Sequence, residues 1–531
     1  MKKYIALILS VILVFLSGCV EKKSQYIAAN HDIKEYVVYN ISKLPEDLIM
    51  LTNSDNRQKD LLPALFEGLV STNDSGEIVP AIAEKYDISK DGITYSFKIR
   101  DDAKWSNGND ITAADFVDFF SKILNKSMGN TYARGLYCVF GVEDYNSGKK
   151  DFSSVAIRAE NKKNLQIRLN SPCDYLLNVL SEPEFSLRKI DNKLRGWKTE
   201  YGNIAYSGPF KIEKISGKNE ITIIKNENYW NRDEVKSNKI LLTAINGGEK
   251  ALVDFESNKI SLMVDPPLSE IEKLSESEEA IKNPSRTGVA IAFNLKKSGL
   301  SSDVNFRKAV SAVINRGNIC ENILSNGAEP AATFIPNSLI TTLSTDVSKI
   351  SVFDKEDDSK KAEEFFLKVK DYKNKKIKLA YLDNVTNKKV CDAIIKSIKF
   401  EGVNCNCQGY NSEELKEIVK AGNYDMLLVE YNGLYDNAMA FFENYYGKNP
   451  NNFSGYSSIE YDNGLTKSKL EKDRGKRKML LQNVEGILMK DMPVIPLYFD
   501  NIVLCKKNNV RGIYVTKAGT VKLDKAYIEI E

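Results

Sequence analysis

Between Ile377 and Val429 the chain alternates strand and helix patterns, and this run restricts the fold more than any other feature. Ile377 to Tyr381 reads as a strand, Lys388 to Phe400 as an amphipathic helix and Val403 to Cys407 as the next strand. A helix from Ser412 to Lys420 and a strand from Tyr424 to Val429 complete it. Strands joined through helices in this way lie parallel, so the pattern predicts an α/β fold with a mostly parallel sheet and helices on its faces. Val403, Cys405 and Cys407 alternate onto one strand face, which points to core packing; no other ligand stands near Cys405 and Cys407 in sequence to complete a metal site.

The remainder is less regular. A short strand is predicted from Tyr36 to Asn40, and Asn73-Asp74-Ser75-Gly76 reads as a turn. Tyr95, Phe97 and Ile99 alternate against Ser96, Lys98 and Arg100, the signature of a half-buried strand. Thr112 is placed to cap a helix carrying Phe116, Phe119 and Ile123 on one face. Strand patterns resume from Ile221 to Lys225 after the break at Ser207-Gly208-Pro209. Helices are predicted from Asn305 to Leu324 and from Lys360 to Tyr372, the latter behind an acidic start that suits the helix dipole.

The N-terminus addresses the chain. Lys2 and Lys3 precede an apolar run from Ile5 to Leu16. A spanning helix needs about 20 residues, so this shorter run reads as the core of a signal peptide over residues 1–18. Leu16-Ser17-Gly18-Cys19 follows and resembles a bacterial lipobox, which implies cleavage before Cys19 and a lipid on its sulfur. Two acyl chains anchor stably where one is marginal. Residues 19–32 then form a polar tether.

What the chain lacks is as informative. Its 75 basic and 72 acidic residues nearly cancel, to a net charge of +3, and show no clustered basic face for nucleic acid. His31, in the tether, is the sole histidine, which excludes histidine-based triads and zinc sites from the body. Seven cysteines remain beside Cys19, an odd set without regular spacing. No Walker A loop, dinucleotide fingerprint or G-x-S-x-G elbow is present. The pairs Asp101-Asp102 and Asp357-Asp358 read as solvated caps. Nothing here demands catalysis, a cofactor or a metal.

Several segments carry a resemblance. The stretch from Pro63 to Val117, beginning PALFEGL, is similar to the long N-terminal signature of family 5 of the bacterial extracellular solute-binding proteins. YSGPFKI from Tyr206, IAFNL from Ile291, NFRKAVSAVINRGNI from Asn305, FSGYSSIEYD from Phe453 and MPVIPLYF from Met492 follow in the family's order. The resemblance implies a periplasmic-binding-protein type II-like fold, a two-lobed clam with an additional inserted lobe. Domain I would comprise residues 33–60, 183–282 and 497–531, the inserted lobe 61–182, and domain II 283–496, with hinge crossings near Asn283 and Pro496. It implies a lipid-anchored, monomeric receptor on the extracytoplasmic face of the membrane. Hinge closure would deliver oligopeptides to an ABC permease with a separate ATPase. A non-peptide solute such as a sugar or opine, a sensory role, or a hydrolase or chaperone-like lipoprotein are the alternatives.

Family members that bind peptides place an aspartate opposite the ligand's amino group. Aligned without gaps, Leu434 occupies that place in the segment from Tyr431 to Phe441. An ammonium buried without a counter-charge costs several kcal/mol, against about 8.2 kcal/mol for a micromolar complex. Either the ligand differs or another acid substitutes; Asp436 and Glu430 share the face of Leu434 in an extended chain. Tyr431 and Tyr435 are candidate lining aromatics, and Gly433 offers backbone groups or marks a bulge. Arg57 and Gln58 fall near a ligand-contacting family segment, and Tyr132 is placed to cap the cleft from the inserted lobe.

Overall fold

Thr112 starts the helix Ala113–Ile123 as expected: its side chain accepts from the Asp115 N–H, and the Asp115 carboxylate accepts from the Thr112 N–H. Phe116, Phe119, Phe120 and Ile123 are buried beneath it. The helix lies beside an antiparallel four-stranded sheet, ordered Ala83–Ile88, Thr94–Ile99, Asn164–Arg168 and Ile157–Ala159. The computed structural model describes residues 35–52, 56–343 and 353–530. The signal segment, Cys19, His31 and the tether lie outside the described residues.

The main sheet has eleven strands. In spatial order ten of them are Asn404–Tyr410, Lys376–Leu382, Met426–Asn432, Ala280–Phe293, Val494–Lys506, Leu262–Val264, Val37–Asn40, Lys239–Thr243, Glu220–Lys225 and Phe210–Ser216. Ala328–Pro330 pairs with Val494–Lys506 at the side. The βαβ run folds as read: Lys376–Leu382 pairs in parallel with both Asn404–Tyr410 and Met426–Asn432. Val37–Asn40 is likewise parallel to its two neighbours, but every other pairing in this sheet is antiparallel. The sheet is therefore mixed, not mostly parallel, because the two longest strands enter its middle against their neighbours.

Those strands, Ala280–Phe293 and Val494–Lys506, tie two hydrophobic cores together. Ile502 and Leu504 sit in a core built from residues 37–264, the tail residues Val510, Val521, Leu523 and Ala526, and Tyr435 and Ala440 reaching in from beyond the other lobe's strand Met426–Asn432. Leu497 and Phe499, a few positions earlier, sit in a second core built from residues 289–499. One strand thus serves both lobes. Their mutual register runs from Ala280↔Cys505 to Pro284↔Asn501, breaks, and resumes from Gly288↔Phe499 to Ala292↔Val494. Pro284 has no N–H to donate. Beyond it the Thr287 N–H turns to Ser285 Oγ (2.8 Å), and the Arg286 N–H to the Lys517 carbonyl (3.2 Å).

Two helix expectations change. Asn305 to Leu324 is not one helix: Val304–Ala312 stops, and Asn315 caps a new turn by accepting from the Asn318 N–H at 2.7 Å. The break lets the buried Arg316 guanidinium reach the carbonyls of Pro496 (2.9 Å) and Asp354 (3.1 Å). The helix expected from Lys360 to Tyr372 covers only Ser359–Phe366, with Asp358 as its cap.

Two of the quoted motifs meet in the first lobe. Ser207 Oγ accepts from the Glu67 N–H (3.1 Å) and donates to the Leu187 carbonyl (2.6 Å). The Glu67 carboxylate takes the Tyr229 hydroxyl (2.5 Å) and the Trp230 Nε1–H (2.6 Å). Gly208 lies so close to this turn that a Cβ would stand 2.6 Å from Phe66 N and 2.7 Å from the Leu65 carbonyl carbon. Gly208→Ala is therefore expected to lower stability by about 1–3 kcal/mol, the usual cost of overpacking, read as a lower midpoint in urea at unchanged slope.

Candidate functional site: the cleft between the lobes

The segment after strand Met426–Asn432 was expected to line a ligand pocket, and the structure distributes it differently. Tyr431 turns into the second core, its ring against those of Phe441 (6.3 Å), Tyr445 (6.4 Å) and Phe499 (5.8 Å). Gly433 makes room for Phe441, whose ring carbon would lie 2.6 Å from an added Cβ. Leu434 packs, half-buried, on the core of the first lobe. Tyr435 is buried and stacks on Tyr175 of the inserted segment, centroids 4.3 Å apart at 13°. Asp436 accepts from Lys517 Nζ at 3.0 Å. Residues 434–436 thus seal one lobe against the other.

Arg57 is buried and ion-paired with Asp60 at 3.3 Å, with its guanidinium also on the Gly519 carbonyl. Burial lifts the Asp60 carboxyl to about 6 despite that partner. Gln58 donates to the Leu44 carbonyl at 3.2 Å. Tyr132 lies beneath Lys59, whose Nζ is 4.8 Å from the ring centroid and 3.2 Å from Glu184. A hollow of about 290 Å³ opens beside Arg57, bounded by Asn40, Ser42, Gly247, Gly248 and Asp265. A second, of about 180 Å³, lies where Glu67, Glu182, Arg286, Asp436 and Lys522 converge.

Three interlobe contacts had no signal strong enough to read in advance. Arg286, in the broken stretch of the crossing strand and 7% exposed, makes two parallel bonds to Glu182, at 2.7 and 2.8 Å. Burial opposes both charges, and Glu182 holds the guanidinium protonated. Arg134 donates to Asn449 Oδ1 at 2.7 Å, and Arg477 pairs with Asp174. The polar triplet Ser285-Arg286-Thr287 inside an otherwise extended run was the one available hint.

Carboxylates from both lobes also gather at the register break. Glu430, exposed, pairs in the ladder with Val289, and Asp500 lies one residue beyond Phe499↔Gly288. Asp265 approaches from the first lobe, its N–H on the Val503 carbonyl at 2.8 Å. Burial, then the negative charges of Glu430 and Asp265, push the Asp500 carboxyl up to about 7. No lysine or arginine among the described residues forms an ion pair with Glu430 or Asp500. No cluster of potential metal ligands is found among the described residues, and no described helix is long and apolar enough to cross a membrane.

Two lobes on one sheet, meeting where its longest strands lose register, define a two-lobed fold of the type II-like kind. The model for the bacterial extracellular solute-binding proteins, family 5, matches residues 77–453. The oligopeptide-binding protein OppA of Bacillus subtilis is 30% identical over 92% of this chain and 92% of its own. The dipeptide-binding protein DppE of the same organism is 27% identical over 96% and 95%. Among solved structures, the murein tripeptide binding protein MppA of Escherichia coli superimposes with a TM-score of 0.80 at 22% identity, over 94% of this chain and 99% of that one. OppA of Haemophilus influenzae, in complex with RPPGFSPFR, gives 0.78 at 22%, over 94% and 100%. The chain belongs to family 5 of the bacterial extracellular solute-binding proteins.

Proposed function

We propose that this protein is a non-catalytic receptor that closes on a peptide and hands it, unchanged, to an ABC import permease with a separate ATPase. The observation that carries the reading is the register break between Pro284 and Gly288: it gives two lobes a hinge between hydrogen-bonded halves of one sheet. The peptide ligands named for its relatives in Bacillus subtilis support the substrate class. The receptor is a monomer outside the cytoplasm, held to the membrane by lipid on Cys19.

The ligand's amino group is received by Glu430 and Asp500. Leu434 carries no charge, and Asp436 is already neutralised by Lys517. Arg57, Gln58, Gly433, Tyr431 and Tyr435 shape and support the cleft, and Tyr132 flanks it.

The test is native mass spectrometry of the protein purified from its host, with X-ray scattering before and after unfolding and refolding without ligand. Peptide masses should co-purify, be released intact, and restore a smaller radius of gyration when added back. A peptide returned as fragments, or a radius indifferent to a broad peptide library, overturns the reading.

A further inference from the structure

The turn between the helices Ile459–Leu470 and Arg474–Asp491 gathers charge that the overall balance of the chain conceals. Residues 467–478 hold seven basic and two acidic side chains, a net of +5 in a chain whose total is +3. This corner corrects the expectation of no clustered basic face. The two helices pack side by side, with Gly464 so near Val484 that a Cβ would stand 3.0 Å from its methyl carbon. Tyr461, Leu465 and Ser468 on the first helix, and Arg477, Leu481 and Val484 on the second, are buried. Helical spacing then turns Lys467 and Leu470 outward on one helix, and Lys476 and Met479 outward on the other. All four are exposed, Leu470 by 57% and Met479 by 63%.

Three of the seven cations are committed within the protein: Lys469 to Glu443 (2.6 Å), Arg477 to Asp174, and Lys478 to the Thr341 carbonyl (2.6 Å). Lys467, Lys472, Arg474 and Lys476 are exposed and form no ion pair with any described residue. The two acids of the turn are spent on its backbone: Asp473 caps the second helix by accepting from the Lys476 N–H (2.8 Å), and Glu471 accepts from the Asp473 N–H (2.9 Å). Four uncommitted cations and two bare apolar side chains thus share one helix corner.

We propose that this corner rests on a bilayer bearing anionic headgroups, its cations on the phosphates and Leu470 and Met479 among the uppermost acyl carbons. Charge complementarity selects the occupant. Lysine is depleted from protein interfaces, which draw on aromatic anchors, and residues 466–479 contain no aromatic side chain. Basic side chains flanking exposed apolar ones are instead what seats a protein surface at a lipid interface. The proposal rests on the lipid-anchored part of the functional reading, which keeps the protein within reach of such a surface, but not on the ligand. It adds a second attachment to the lipid on Cys19. Because Arg477 joins the same corner to Asp174 of the inserted segment, the contact lies where that segment meets the second lobe, and it fixes the face that the receptor turns to the membrane.

The lipidated mature protein is mixed with vesicles of phosphatidylglycerol or of phosphatidylcholine, and amide exchange is followed by mass spectrometry. In about 0.05 M salt, phosphatidylglycerol should slow exchange in residues 466–479 by about fivefold or more, and in about 0.5 M salt by less than about twofold, as screening shortens the reach of each charge. Phosphatidylcholine and inorganic phosphate should leave the segment unchanged. Lys472→Glu/Arg474→Glu/Lys476→Glu should lose the effect at an unchanged urea midpoint. Equal protection on both lipids, none on either, or protection by phosphate alone overturns the proposal. Protection by native membranes but not by pure phosphatidylglycerol assigns the corner to a protein, and overturns it too. The wild-type comparison decides this even if the triple variant fails to fold. Flotation on phosphatidylcholine reads the acyl anchor alone, so a failure of anchoring is told apart from a failure of the corner.

Discussion

Arg286→Met is expected to destabilise the protein by about 3–5 kcal/mol, because it leaves the buried Glu182 carboxylate without its counter-charge. The side chain is nearly enclosed and both ends of its guanidinium are committed to that one partner. The double variant Arg286→Met/Glu182→Met should recover most of the loss, since two apolar groups of similar size replace a desolvated pair. Urea denaturation of the four-member cycle measures this. Scattering adds a second readout: because Arg286 lies between the two paired stretches of the crossing strands and ties the lobes together, the single variant should show a larger radius of gyration without ligand. A coupling below about 1 kcal/mol, as at a surface pair, would mean the clamp is unimportant.

Glu430→Gln combined with Asp500→Asn is expected to weaken peptides with a free amino terminus by about 10- to 100-fold, or roughly 1.4–2.8 kcal/mol. N-acetylated peptides should change little. The sign with pH follows from the Asp500 carboxyl, held near 7 in the folded state by burial and its acidic neighbours. Between its ordinary value near 4 and that point, the folded state binds more protons than the unfolded one. Stability without ligand therefore falls as pH rises through this window. Asp500→Asn removes that dependence, and should exceed the wild type by about 1–3 kcal/mol at pH 8 while matching it near pH 4. A ligand ammonium favours the ionised carboxylate, so wild-type affinity should climb between pH 5 and 8. Calorimetric titration of matched free and acetylated peptides across that range checks both halves. Equal losses for the two peptides would refute amino-group capture by these acids.

The parts of the fold legible in advance were those set by local chemistry. Thr112 and Asp115 announce a helix start because both capping groups lie within four residues. Strand and helix from Lys376 to Asn432 follow from periodicity, and their parallel pairing from the helices between them. Direction in the rest of the sheet was not legible, since Ala280–Phe293 meets partners some 140 and 200 positions away. The site was harder still. Tyr431, Leu434 and Tyr435 sit in the expected stretch, yet partners from distant segments decide whether each faces core, lobe interface or cleft. Asp436 seemed a spare acid only because Lys517, 81 positions later, is invisible to local reading. Asp500 and Asp265 approach one another only once the crossing strand is placed.

The core of the first lobe draws on both extremes of the described chain: Val37 and Tyr39 near its beginning, Val521, Leu523 and Ala526 near its end. A polypeptide threaded through an export pore N-terminus first cannot assemble that core until its last residues emerge. The second lobe, whose core residues fall between Val289 and Phe499, needs none of those last residues. In any chain that emerges N-terminus first, the second lobe can therefore condense while the first still lacks its closing segment.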